Sequence, residues 1–201
     1  MKSIFEEKNL LDAVQERTGG RSARVREAVL QAARQILMER GTEALTHRNI
    51  AQLANVNAST VYRRWPDRAR LIADVYKNTA DSIVQLPDSG SLKEDLLHFL
   101  QMISAMLTSS EGRKLVLGGI SATSSNDESV KSAIRTLWEQ RFQQAELLFE
   151  QAIARGEEGY KGQRQIILET LIAPVWFRIL VTQEPVDKEY LIENINRVLA
   201  Q

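Results

Sequence analysis

Cysteine is absent from this 201-residue chain, and only two histidines and four prolines occur. Without cysteine there can be no disulfide, Cys-ligated zinc, iron–sulfur cluster or thiol nucleophile. His47 and His98 do not suffice for a multi-histidine metal site, so neither a metal nor a cofactor is expected. Nowhere do eighteen apolar residues run together, which speaks against a membrane-spanning helix. The opening stretch, MKSIFEEKNLLDAVQERTGG, lacks the continuous apolar core of a secretory signal. Together these absences lead to the expectation of a cytoplasmic protein with no membrane partner. Enzyme signatures are missing too: there is no glycine-rich phosphate loop, no nucleophile elbow and no paired His/carboxylate motif. The glycines of RGEEGYKG follow a helical pattern rather than a strand, so they make no dinucleotide fingerprint. An enzyme is not expected.

Net charge is also lacking, with 26 Lys+Arg balancing 26 Asp+Glu, but the balance hides a division. Residues 17–80 hold twelve basic and five acidic side chains, whereas residues 81–201 hold twelve basic and seventeen acidic. A basic block followed by an acidic one suggests two jobs, one of them holding a polyanion.

What the chain has in quantity is helical periodicity. From Arg24 to Gly41 the apolar residues Val25, Val29, Ala32, Ala33, Ile36 and Leu37 form one stripe, and Gly41 supplies a stop. Thr46 is suited to cap a short helix carrying Ile50, Leu53 and Ala54. A second short helix starts near Ala58 and holds Val61 and Trp65 one turn apart. Pro66-Asp67 restarts the chain into a helix with Leu71, Ile72, Val75 and Tyr76 on one side. LPDSGS, Leu86–Ser91, reads as the linker between two domains. Helices follow over Leu92–Leu107, Glu111–Ala122 (weakened by Gly118-Gly119), Asp127–Arg155, Gln163–Val181 and Asp187–Leu199. Nothing alternates with period two, so the fold expected is all-α, with about nine helices. The domains expected are an N-terminal extension at 1–20, a basic helical domain at 21–86 and an acidic helical domain at 87–201. The extension is amphipathic at best and reads as a mobile arm or a short extra helix.

Gln163–Val181 is apolar almost all round, interrupted by Glu169 and Arg178. Such a helix must be covered on every side, and in so small a domain a second copy of the chain is the expected cover. Pro174 within it should kink the helix and free a carbonyl.

The two short helices and the tight turn between them read as a helix-turn-helix. To enter a major groove about 12 Å wide, the second helix must be narrow and polar at its N-terminal end and apolar behind. Asn57-Ala58-Ser59-Thr60 provides the front, and Val61 and Trp65 provide the back. Tyr62, Arg63 and Arg64 follow, long enough to reach phosphates or base edges. Arg21 and Arg24, ahead of the first helix, suit a basic arm. His47 is expected to face solvent or DNA, and His98 to be half-buried.

The segment THRNIAQLANVNASTVYRRWPDRARLI resembles the DNA-binding segment of the tetracycline-repressor (TetR/AcrR) family of bacterial transcription regulators. Thr46, Arg48, Ile50, Ala51, Ala54, Val56, Thr60, Val61, Tyr62 and Leu71 match that family's pattern, and the resemblance covers roughly residues 24–76. Asn55 stands in place of the turn glycine, Asn57 in place of serine, Trp65 in place of phenylalanine and Arg68 in place of lysine. Asparagine tolerates the left-handed turn conformation and also caps helices. The resemblance implies phosphate contacts from Thr46, Thr60, Tyr62 and Arg68, which fix register. Arg48, Asn57, Ser59 and Arg63 are candidates for base-edge contacts, and Arg64 for either. In the C-terminal half the likeness is in outline only. A pocket there would be apolar with a few polar handles, and Phe99, Met102, Met106, Trp138, Phe142 and Trp176 are the candidates to line it.

The reading that results is a homodimeric, ligand-responsive repressor, released from a palindromic double-stranded DNA operator by a small-molecule effector. Two alternatives stand beside it. One is a helix-turn-helix regulator whose C-terminal domain serves only dimerisation or protein docking. The other is an all-α module whose helix-turn-helix holds a protein.

Overall fold

A computed structural model of the chain describes residues 4–81, 86–124, 126–157 and 164–200, and the side chains of all of these except 4–19, 21 and 79–81. Among the described residues there are nine α-helices and no strand. They are α1 (Ile4–Arg40), α2 (His47–Leu53), α3 (Ala58–Arg64), α4 (Arg68–Asp81), α5 (Leu92–Thr108), α6 (Ser110–Ala122), α7 (Glu128–Ala154), α8 (Arg164–Trp176) and α9 (Lys188–Leu199). A 3-10 turn, Thr42–Ala44, joins α1 to α2, and a π-helical segment, Phe177–Thr182, prolongs α8. The all-α expectation holds. The chain divides into two compact units, residues 1–71 and 72–201, and the division falls inside α4.

In the first unit, α1 turns one stripe inward: Val29, Leu30, Ala33, Ile36 and Leu37 are all buried. It packs against the 3-10 turn and α2, and α2 packs against α3. Gly41 ends α1 at φ 76°, where its backbone N–H reaches back to Leu37 O at 3.0 Å, a left-handed position that glycine takes at no steric cost. The backbone of α1 extends back to Ile4 through Gly19 and Gly20. The extension expected at 1–20 is therefore continuous with the first helix over the described residues. A glycine costs about 1 kcal/mol in a helix relative to alanine, which weakens a helix without stopping it.

In the second unit α5 is the axis, packed by α6, α7, α8 and α9. Its Leu92, Leu96, Phe99, Leu100, Ile103 and Leu107 share one core with Leu148 and Phe149 of α7, Leu168, Leu171 and Val175 of α8, and Leu191 and Ile195 of α9. Asp127, Asp187 and Ser109 cap α7, α9 and α6, each accepting a backbone N–H from the first turn. His98 is exposed rather than half-buried, because the inward stripe of α5 leaves that position on the opposite side. Gly118-Gly119 lies inside α6 without interrupting it.

The segment Arg164–Thr182 carries Pro174 and then widens into the π-helical turn. Arg113 of α6 donates through Nη2 to Ile179 O at 3.0 Å, holding a carbonyl of that widened turn. By length and mean hydropathy, 1.5, this segment would suit a membrane span. Its inner side, with Leu168, Leu171, Val175 and Ile179, belongs instead to the domain core. Its outer side leaves Ile166, Phe177 and Val181 exposed at 62%, 56% and 64%.

One polar knot closes the unit at the start of α5. Asp95 is fully buried, accepting Ser89 N–H on Oδ1 at 2.6 Å and Arg155 Nη2 on Oδ2 at 2.9 Å. Arg155 also reaches Asp88 and Glu157, and Glu157 accepts the Leu92 backbone N–H. Partial burial disfavours the Arg155 charge, but its hydrogen bonds to Glu157 and Asp95 outweigh that and hold the guanidinium above its ordinary range.

Candidate nucleic-acid interface

Two caps and one left-handed residue set the geometry of the helix-turn-helix. Thr46 caps α2 by accepting Asn49 N–H at 3.2 Å, and the Asn49 amide in turn donates to Ala44 O at 3.0 Å. Asn55 takes φ 51° in the turn, a conformation that asparagine reaches more easily than most residues. Asn57 then caps α3, its Oδ1 accepting both Ser59 N–H at 3.0 Å and Ser59 Oγ–H at 2.9 Å. The cap uses the Asn57 carbonyl oxygen, so the amide NH2 and the lone pairs of the Ser59 hydroxyl take no part in it. Val61 and Trp65 are buried and fix the back of α3; burying side chains of this kind contributes about 1.5–3 kcal/mol each.

The cations separate into two groups. Arg24, Arg48 and Arg63 are exposed, and Arg48 and Arg63 have no hydrogen bond or ion pair among the described residues. Arg64 and Arg68 are turned back onto the protein. Arg64 donates to Ser22, to its carbonyl at 3.0 Å and its hydroxyl at 2.6 Å, and lies over the Trp65 ring. Arg68 donates to Leu45 O at 3.1 Å and Thr42 O at 2.9 Å, with the exposed Glu43 carboxylate at 3.4 Å. Both were expected at the DNA surface. The carbonyls of Thr42 and Leu45, at the end of the 3-10 turn, give the Arg68 fork a nearer partner. The side chain of Arg21 lies outside those described. Thr46 and Thr60 are half-buried, and Tyr62 is 52% exposed.

His47 does not face solvent as expected: it is buried. Its Nε2 lies 2.6 Å from Trp65 O, and since a carbonyl only accepts, that nitrogen carries the proton. The imidazole face stacks on Tyr62 at 4.2 Å with 7° between the planes. The spacing carried a signal, since His47, Ile50 and Ala51 stand at i, i+3 and i+4 on one helix face, and all three are buried.

Of the candidate ligand-lining residues, Phe99 belongs to the core of the second unit, while Met102, Met106, Phe142 and Trp176 are half-buried against it. Trp138 meets Trp176 edge-on at 5.4 Å. The Trp176 Nε1–H is buried without a hydrogen-bond partner. A separate shallow depression of about 280 Å³ is lined by Lys77, Gln140, Gln143, Gln144 and Leu147, none of which was a candidate. No group of three or more metal-ligating side chains occurs among the described residues.

This arrangement has close parallels. Residues 29–75 match the family model described as bacterial regulatory proteins, tetR family, and residues 86–198 match the tetracyclin repressor-like C-terminal domain. The helix-turn-helix-type transcriptional regulator YdeS of Bacillus subtilis is 30% identical over 165 residues, 82% of each chain. The DNA-binding transcriptional repressor TetR of Mycobacteroides abscessus is 26% identical over 86% of this chain and 90% of its own. Among solved structures, the TetR family transcription regulator SCO0332 superposes with a TM-score of 0.71 at 28% identity, covering 88% of this chain and 97% of its own.

Proposed function

The chain belongs to the TetR family of bacterial transcriptional regulators and is a DNA-binding regulator of the helix-turn-helix type, and from that premise we propose that it is a homodimeric repressor released from a palindromic operator by a small molecule. The observation that carries the reading is the division among the arginines. Arg48 and Arg63 are exposed, as are Asn57 and Ser59 at the front of α3, whereas Arg64 and Arg68 are committed to holding the domain together. Arg63 and Arg48 read base edges, and the exposed amide of Asn57 and the Ser59 hydroxyl supplement them. Thr46, Thr60 and the Tyr62 hydroxyl hold phosphates. Arg24, with Arg21 before it, lies within α1 rather than on an arm ahead of the first helix, and adds positive charge there.

The outer side of the Arg164–Thr182 segment, with Ile166, Phe177 and Val181, supports dimerisation, since an apolar stripe of that kind favours a second copy of itself. Two recognition helices would then meet successive major-groove faces about 34–36 Å apart. Repression is favoured by the relative from Mycobacteroides abscessus, a repressor by name. For the effector, the support is the Trp138–Trp176 pair with its unpartnered indole N–H, which an acceptor on an apolar ligand would satisfy. Release requires the ligand to bind the two conformations unequally, and DNA must weaken the ligand by the same factor.

The test is selection of bound sequences from a random DNA pool at about 150 mM salt, with Arg63→Ala alongside. An enriched palindrome lost in the variant is the expected result. No enrichment by folded, dimeric protein would overturn the reading. A second reading, a regulator whose C-terminal domain binds no inducer, is favoured by Phe99, which is already buried in the core. A small-molecule thermal-shift screen separates the two, because a pocket ligand must raise the melting temperature.

A further inference from the structure

We propose that His47 is a positioning residue for DNA binding, one face of its ring holding the Tyr62 side chain in the orientation that meets the DNA backbone. The inference rests on the reading of Tyr62 as a phosphate contact. His47 sits at the first residue of α2, directly after the Thr46 cap, and its ring does two separable things. Through Nε2–H it grips the carbonyl of Trp65, the C-cap that follows α3 and whose indole is buried. That hydrogen bond fixes the plane of the imidazole. On that plane lies the Tyr62 ring, 4.2 Å away and within 7° of parallel, while half of Tyr62 remains open to solvent. One face of the phenol is therefore covered and the rest is presented outward from α3.

The consequence is a matter of entropy. A surface tyrosine on a helix samples several rotamers, and ordering one such side chain on binding costs roughly 0.5–1.5 kcal/mol. Stacking on the flat face of a buried ring removes that freedom before DNA arrives. An apolar residue at position 47 would fill the space but remove the Nε2–H donor to Trp65 O. Histidine supplies both the edge donor and the flat face.

The two roles can be separated by substitution. His47→Gln keeps an N–H donor within reach of Trp65 O and removes the face; His47→Phe keeps the face and removes the donor. The experiment is a double-mutant cycle on operator DNA selected by the full-length protein, with Tyr62→Phe introduced into each background. A hydrogen bond to a charged group makes the loss of the tyrosine hydroxyl worth about tenfold in Kd. That tenfold effect is expected with His47 present, less than about twofold in His47→Gln, and close to tenfold again in His47→Phe. The same factor in all three backgrounds would overturn the proposal and leave His47 a purely structural residue. No effect of Tyr62→Phe in the unaltered protein, with Arg63→Ala still abolishing binding, would overturn it while sparing the operator reading. Absence of operator binding by the unaltered protein would remove both.

A measurement without any His47 variant covers the case in which one fails to fold. In the free protein, the Tyr62 ring resonances, assigned by their loss in Tyr62→Phe, should show Overhauser contacts to the His47 ring and the couplings of a single χ1 rotamer. Rotamer-averaged couplings would overturn the proposal.

Discussion

Arg64, the last residue of α3, donates to both the carbonyl and the hydroxyl of Ser22 on α1, forty-two positions earlier in the chain. Two adjacent arginines thus face opposite ways, Arg63 outward and Arg64 onto the protein. Their substitutions should differ in kind. Arg63→Ala should leave the melting temperature unchanged and weaken operator binding by about 1–3 kcal/mol, with relaxed specificity at one base position. Arg64→Ala should lower the melting temperature slightly and weaken the operator by less than tenfold, without changing which bases are preferred. Paired selection experiments and thermal melts check both.

Arg68 makes a stronger claim on stability. Its Nε and Nη2 satisfy Leu45 O and Thr42 O together, closing the 3-10 turn onto the start of α4 within residues 1–71. Arg68→Ala should destabilise that unit by about 1–3 kcal/mol, because two carbonyls lose a charged donor. Arg68→Lys should recover only part of this, since an ammonium lacks the planar fork. Urea denaturation measures the loss. Were Arg68 chiefly a phosphate contact, the variant would instead flatten the salt dependence of binding and leave stability intact.

The elements were legible because helices announce themselves locally. The α1 stripe, the caps at Thr46 and Asn57, the turn at Asn55 and the linker before α5 each depend on residues a few positions apart. The direction of individual side chains was not legible in the same way. Arg68 finds its carbonyls at Thr42 and Leu45, more than twenty residues upstream, and no local pattern encodes that encounter. His47 was read as exposed from its residue type, although its spacing from Ile50 and Ala51 put it on the buried face. His98 shows the converse: its neighbour Phe99 is buried, but adjacent positions on a helix point about 100° apart.

Two glycines of α6 should respond in opposite senses to alanine. A Cβ on Gly112 would fall 2.2 Å from the backbone oxygen of Met106, so the α5–α6 corner must open to admit it. Gly112→Ala should cost about 1–3 kcal/mol, the usual price of overpacking. A Cβ on Gly119 meets nothing nearer than the Tyr76 ring at 3.6 Å, an ordinary contact. Gly119→Ala should stabilise by about 0.4–1 kcal/mol through the entropy of the unfolded chain. Denaturant midpoints of the two variants check the signs.

The knot at the start of α5 predicts a flat pH response from one of its members. The Arg155 charge is held above its ordinary range, so the stability it brings is present at every pH below the unfolded value and is lost only in strong alkali. Between roughly pH 6 and pH 9 it should add no slope to a plot of stability against pH. Asp95→Asn, by contrast, should lower the melting temperature by on the order of 5 °C, because Asp95 is fully buried and holds both Ser89 N–H and Arg155. Melting curves of both proteins across that range check the prediction.

The exposed stripe of the α8 segment gives the last prediction. Phe177 and Val181 stand one turn apart and are more than half exposed, yet they continue a helix whose other side is core. If that stripe is the dimer face, Phe177→Glu with Val181→Glu places two carboxylates, and by symmetry four, in an apolar contact. Desolvating unpaired charges is costly enough to dissociate the dimer. The substitutions lie on the outer side, so the helical content of each chain should be unchanged. Light scattering should then report a monomer of about 22.8 kDa. Operator affinity should fall toward the non-specific level, because a single recognition helix reads only one half-site. A dimer that survives both substitutions would place the interface elsewhere.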